Sequence, residues 1–175
     1  MKIWNYFEFL GELTKYFRTV GFAGTNGKSS STSLAITTGK KLIPELGLGI
    51  VGALVPDLNN KSYYLKEDKK SEFRQLFDFI FTGKKLPYEL IKKYYFFLEA
   101  CEYKRHFLNL DLEYLLITNI ELDHTDYYRD FSDYQYAFVQ MNQKTKNLTF
   151  VLDSFEAPEA FSKTKQIPLK HWELD

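Results

Sequence analysis

Residues 19–30 read Thr19-Val20-Gly21-Phe22-Ala23-Gly24-Thr25-Asn26-Gly27-Lys28-Ser29-Ser30, a short apolar run that ends in a glycine-lysine loop. An apolar strand leading into glycines, a lysine and hydroxyl residues, with helical periodicity after them, is the layout of a phosphate-binding loop. The chemistry needs those residue types. Glycines let several backbone N–H groups converge on an anion, and the following helix presents its positive N-terminal end. Lys28 can then place an ammonium against the phosphates, and Ser29 can offer a hydroxyl to Mg²⁺. The usual spacing, G-x-x-x-x-G-K-[ST], would put a glycine at position 22, where this chain has Phe22 with Gly21 and Gly24 near it. A plain glycine turn followed by a serine-rich helix cap is the competing explanation of Ser29, Ser30 and Ser31.

Outward from the loop, the periodicity alternates between strand and helix. Apolar residues at Phe7, Leu10, Leu13 and Phe17 predict a helix over 6–17, and Leu34, Ala35 and Ile36 predict one over 30–41. Residues 48–55 read as a second buried strand, and Phe73, Leu76, Phe77 and Ile80 predict an amphipathic helix over 69–81. Uniformly apolar runs at 94–98, 114–118 and 148–152 predict strands covered on both faces. Helices are predicted over 87–93, 131–142 and 157–163, with a last strand over 166–169. Such alternation predicts an α/β fold: one P-loop-type, mostly parallel sheet with helices on both faces, in a single domain.

Composition narrows the function classes. The 175 residues are 45% hydrophobic and 18% aromatic, which excludes a disordered chain. Lys+Arg and Asp+Glu are both 23, so a general nucleic-acid-binding surface is not expected. No apolar run approaches the roughly 20 residues that span a bilayer, and residues 1–6 lack a signal-peptide layout. The expectation is a cytoplasmic protein without a membrane partner, and the single cysteine, Cys101, agrees with a reducing compartment. Between Glu99 and Glu102, the Cys101 thiol is expected to be raised in pKa and no nucleophile. The pairs Tyr63-Tyr64, Tyr94-Tyr95 and Tyr127-Tyr128 read as packing rather than base stacking. His106 either touches phosphate or sits on an exposed helix.

Two polar clusters fall where predicted strands end, the place where open α/β sheets bind ligands. Glu99 closes the run at 94–98, and a carboxylate there can hold Mg²⁺ opposite the loop. Asn119, Glu121, Asp123 and His124 follow the run at 114–118. Taken singly, Glu99 reads equally as a surface charge, and Asp123 as a turn cap.

With those residues stated, a family resemblance follows. Residues 24–30 resemble the ATP loop of Mur ligases. Glu99-Ala100-Cys101-Glu102-Tyr103-Lys104-Arg105-His106-Phe107-Leu108 is similar to a segment of the UDP-N-acetylmuramate–L-alanine ligase branch, Thr118 to Tyr128 resembles the next family block, and Tyr6 to Leu13 is similar to the stretch leading into the family's central domain. The resemblance implies ATP and Mg²⁺ as cofactors, with Gly24, Thr25, Asn26, Gly27, Lys28, Ser29, Ser30 and Asn119 around the nucleotide. Lys28 and His124 would be the catalytic residues, and Ser29, Glu99 and His124 the metal ligands. It implies an ADP-forming reaction: ATP phosphorylates the muramyl carboxylate, and the amine of L-alanine attacks the acyl phosphate.

The family has three domains, and residues 1–175 resemble the central, ATP-binding one. UDP-N-acetylmuramate and L-alanine would be met through the flanking domains, so the chain by itself is expected to form no peptide bond. An adenine-contacting His-Asn-x-x-Asn segment of the family has no counterpart here, since the last histidine is His171. The alternatives are a truncated, non-catalytic interaction module, or an unrelated phosphotransferase with the same loop. Residues 61–85 match no family motif and read as a helical insertion that covers a sheet edge or meets a protein partner.

Overall fold

Three of the apolar runs meet at the middle of one sheet. In a computed structural model that describes residues 3–83, 92–152 and 158–167, β1 (Arg18–Ala23) lies between β4 (Tyr95–Glu99) and β5 (Tyr114–Ile117) and is parallel to both. The register sets Phe22 beside Glu99 on one side and beside Leu116 on the other, so the three strands end together. Outside them lie β2 (Leu46–Val55), β3 (Lys61–Leu65), β6 (Leu148–Leu152) and β7 (Thr164–Ile167), in the order β3-β2-β4-β1-β5-β6-β7. Every pairing is parallel except β2 with β3.

Alternation along the strands sorts their side chains onto two faces. Phe96, Leu98, Leu115 and Ile117 join the larger core with Leu10 and Leu13 of α1 (Tyr6–Thr14), Phe73 and Leu76 of α3 (Lys70–Thr82), and Tyr134 and Phe138 of α4 (Phe131–Lys144). Phe22 and Phe97 face the other way, onto Ile36 of α2 (Lys28–Leu42). The expected parallel sheet, with helices on both faces, is therefore the observed architecture. Helix α1 is held at its start by a reciprocal cap, in which Asn5 Oδ1 accepts from the Glu8 amide and Glu8 Oε2 accepts from the Asn5 amide.

Three expectations are corrected. Residues 61–65 are an antiparallel edge strand and not part of a helix; Asn59 and Asn60, both at positive φ (59° and 56°), reverse the chain after β2 and lay it back alongside. Asparagine tolerates that left-handed backbone better than most residues. Residues 158–163 form a turn, with the Phe161 amide donating to the Pro158 carbonyl, rather than the end of a helix. The last strand runs over Thr164–Ile167, ahead of its expected place. The helix expected over 87–93 falls mostly outside the described residues, and Lys92, within them, has φ 57°.

Candidate phosphate-binding site

The loop between β1 and α2 is shaped by two glycines. Gly24 has φ 136°, and a Cβ there would stand 2.1 Å from Thr118 Oγ1. Gly27, at φ 82°, is the cap residue from which α2 starts, with no side-chain cap. The serines do not cap the helix. Ser29 Oγ donates to Glu99, and Ser33 Oγ donates back to the Ser29 carbonyl. The plain-turn explanation loses its support there. Helix α2 begins at Lys28, so Lys28, Ser29 and Ser30 form its first turn, where backbone N–H groups are unpaired within the helix. Ser30 is exposed there.

The turn after β5 braces the loop. Asn119 Oδ1 accepts from the Asn26 amide at 2.9 Å, and its Nδ2 donates to the Asn26 carbonyl at 3.1 Å. Thr118 Oγ1 donates to the same carbonyl at 2.5 Å. Thr25 Oγ1 exchanges bonds with the Glu121 backbone, at 2.7 and 2.8 Å, and lies 2.9 Å from the Tyr134 hydroxyl. Asn119 thus has its side-chain amide on the loop backbone, a bracing position.

Two pairs of charged or polar groups stand at the strand ends. In the first, Ser29 Oγ donates to Glu99 Oε2 at 2.8 Å, and the Gly52 amide donates to the same oxygen at 2.8 Å. In the second, Lys28 Nζ donates to Glu102 Oε1 at 2.9 Å, and to the carbonyls of Gly24 at 2.6 Å and Thr25 at 3.0 Å. His124 belongs to this second group: its Nε2 is 3.2 Å from Glu102 Oε1, and its ring lies 4.7 Å from that of Tyr103. Its backbone, at φ 53°, is held by Asp123 Oδ1, which accepts the His124 amide.

The structure therefore joins Ser29 to Glu99, and Lys28 to His124 by way of Glu102. Among the described residues His124 has no hydrogen bond to Ser29 or Glu99, and no cluster of three or more His, Cys, Asp or Glu side chains is set to hold a metal. The Ser29–Glu99 pair alone is a hydroxyl and a carboxylate, the hard oxygen donors that Mg²⁺ takes in small number while phosphates and waters supply the rest. That donor set fits Mg²⁺.

Glu102 is the site residue that sequence reasoning missed. It stands three places after Glu99 and looks like any surface acid, and only the 3-10 turn Tyr103–Asn109, with Lys104 and Arg105 at φ 50° and 58°, turns it inward. The Cys101 thiol is raised in pKa, first by burial and less by Glu102 and Glu99. His106 is half-buried rather than exposed, and it stacks on Phe7 with ring centres 3.6 Å apart. Of the tyrosine pairs, Tyr94 and Tyr128 are buried, whereas Tyr63 and Tyr127 are exposed.

Two concavities adjoin the site. One, of about 490 Å³, opens beside the start of α2 and is lined by Asn26, Gly27, Thr118, Asn119, Glu121 and Leu152, among others. The other, of about 190 Å³, is mostly apolar and is lined by Tyr6, Phe7, Val51, Glu99, Cys101 and His106, among others.

A mostly parallel seven-stranded sheet with helices on both faces, its central strand entering a glycine-lysine loop and a carboxylate standing at the neighbouring strand end, defines a single α/β domain. Its solved neighbours are Mur ligases. UDP-N-acetylmuramate-alanine ligase from Thermotoga maritima superposes with a TM-score of 0.61 at 19% identity, over 93% of this chain and 31% of that one. UDP-N-acetylmuramate:L-alanyl-gamma-D-glutamyl-meso-diaminopimelate ligase from Neisseria meningitides gives 0.67 at 18%, over 91% and 49%. By sequence the chain belongs to the Mur ligase family. It is 34% identical over 145 residues to the UDP-N-acetylmuramate–L-alanine ligase of Desulfitobacterium hafniense, covering 81% of this chain and 26% of that one. It is 31% identical over 150 residues to the enzyme of that name from Lactiplantibacillus plantarum, covering 86% and 27%. The chain thus spans about a quarter of the length of these relatives. No protein-family model matches it.

Proposed function

We propose that this chain is the central, ATP- and Mg²⁺-binding part of an ADP-forming carboxylate–amine ligase of the UDP-N-acetylmuramate–L-alanine type, acting in peptidoglycan precursor synthesis. The observation that carries the reading is the convergence at three adjacent strand ends: Lys28 and Ser29 after β1, Glu99 at the end of β4, and His124 beyond β5. Phosphoryl transfer asks a protein mainly for position and charge stabilisation. Here the first-turn amides of α2 would bind the phosphates, and Lys28 would neutralise charge on the transferred group. Ser29 and Glu99 would hold Mg²⁺, which would supply positive charge to offset that of the phosphates. The groove beside Asn26 and Asn119 is open enough to take the nucleoside. His124, tied to the Lys28 side of the site, is suited to the phosphoryl group rather than to the Ser29–Glu99 pair.

The muramyl carboxylate would receive the phosphoryl group, and the amine of L-alanine would displace it as phosphate. Both substrates would be brought by parts of the ligase outside these residues. Alone, the chain would bind nucleotide and make no peptide bond. The test is amide NMR of the 175-residue chain titrated with Mg-ADP and Mg-ATP. Shifts concentrated on residues 24–30, with smaller ones at 118–121, are expected. Saturable shifts elsewhere, or none up to millimolar nucleotide, would overturn the assignment.

A further inference from the structure

Among the described residues, Glu102 is the only charged side chain fully withdrawn from solvent. A buried carboxylate is costly unless it is paired and hydrogen-bonded. Oε1 carries both of its charged or ionisable partners, Lys28 Nζ at 2.9 Å and His124 Nε2 at 3.2 Å. Its backbone carbonyl accepts the Tyr128 hydroxyl. Oε2 is buried with no hydrogen-bond partner among the described residues.

Lys28 is also fully committed. An ammonium has three N–H donors, and here they go to the Gly24 and Thr25 carbonyls and to Glu102. A phosphate can reach Lys28 only by taking one of those donors. The loop carbonyls are neutral and belong to a turn braced by Thr118 and Asn119. Glu102 differs: it is charged, it already has a second partner in His124, and it has an unused oxygen.

From this geometry we infer that Glu102 is a positioning residue, holding Lys28 and His124 on a single carboxylate oxygen so that occupancy of the phosphate loop is felt at His124. The inference rests on the loop being the nucleotide site. Two consequences follow, and they run in opposite directions. The carboxylate offsets the field of the ammonium, so removing its charge strengthens the pull of Lys28 on an anion. The same change weakens the link between Lys28 and His124.

Glu102→Gln separates these effects, because the amide oxygen preserves the shape of the acceptor. Calorimetric titration of Mg-ATP into the 175-residue chain should give about threefold or more tighter binding in Glu102→Gln than in the wild type. Glu102→Gln combined with Lys28→Met should bind as weakly as Lys28→Met alone. The ¹⁵N response of the His124 ring to Mg-ATP should meanwhile shrink in Glu102→Gln. A merely structural role would lower affinity and response together. Equal or weaker binding in a Glu102→Gln variant that melts like the wild type, or an undiminished His124 response, would overturn the inference.

If Glu102→Gln does not fold, Glu102→Asp takes its place: it keeps the charge but is too short to span both partners. It should bind no tighter than the wild type and still lose the His124 response; retention of that response would count against the inference. A nucleotide-free arm keeps the two readings apart. Lys28→Met should move the His124 ring resonances in the wild-type background and leave them nearly unmoved in Glu102→Gln. If wild type binds no Mg-ATP but this arm succeeds, the nucleotide reading fails and the positioning contact stands; if this arm fails, the contact itself is wrong.

Discussion

Lys28, Ser29 and Glu99 could be read from the sequence because each belongs to a local pattern: a loop between strand and helix, or the last residue of an apolar run. Gly24 shows the same legibility, since the approach of Thr118 leaves no room for a Cβ at a left-handed position. The grouping of His124 could not be read this way. Its partner is Glu102, and nothing local in the sequence distinguishes a carboxylate that folds into the interior from one that stays in water. His106 gives a prediction at this scale. Burial first, and the nearby Lys104 second, hold its pKa below the usual 6.5. The unfolded chain then takes up a proton more readily than the folded one, so stability is lost as pH falls below about 6.5 toward the lowered native value, and levels off beneath it. Urea unfolding from about pH 7.5 to 5 should show that loss, and His106→Phe, which keeps a ring on Phe7, should reduce it. An unchanged pH dependence in the variant would remove His106 as its source.

At the scale of elements, the long periodic stretches and uniformly apolar runs were the legible part. Helix α3 and strands β4, β5 and β6 lie close to where their spacing puts them. Strand β3 was not legible because its five residues, Lys61-Ser62-Tyr63-Tyr64-Leu65, take their conformation from pairing with β2 and from the Asn59-Asn60 reversal. A short edge strand gains little from its own pattern, and tertiary pairing decides it. The surroundings of α3 also bear on the idea that residues 61–85 are a surface for a partner. Leu76 is 2% exposed in the main core, whereas Phe81 is 46% exposed. Leu76→Ala should cost about 2–5 kcal/mol in chemical denaturation, and Phe81→Ala should stay within about 0.5 kcal/mol. Similar small costs for both would mean that α3 is not seated in the core as described.

For the whole molecule, sheet order matters more than any single element. The chain moves from β1 out to β2 and β3, returns to β4 beside β1, and then crosses to β5 on the other side. The three ends that carry Lys28, Glu99 and His124 are thereby neighbours, although the residues are far apart in sequence. Alternation of strand and helix predicted a parallel sheet but not this order, because crossover direction is settled by how helices pack on the two faces. The relatives extend well beyond what this chain covers, so its own testable property is nucleotide binding. The most direct measurement is thermal unfolding of the 175-residue chain with and without Mg-ATP, in the wild type and in Lys28→Ala. At about 100 times Kd a working site adds roughly 2.7 kcal/mol, a rise of several degrees for a domain of this size. That rise is expected in the wild type, and its loss in Lys28→Ala. No rise up to millimolar nucleotide, or an equal rise in both proteins, would contradict a nucleotide site at this loop.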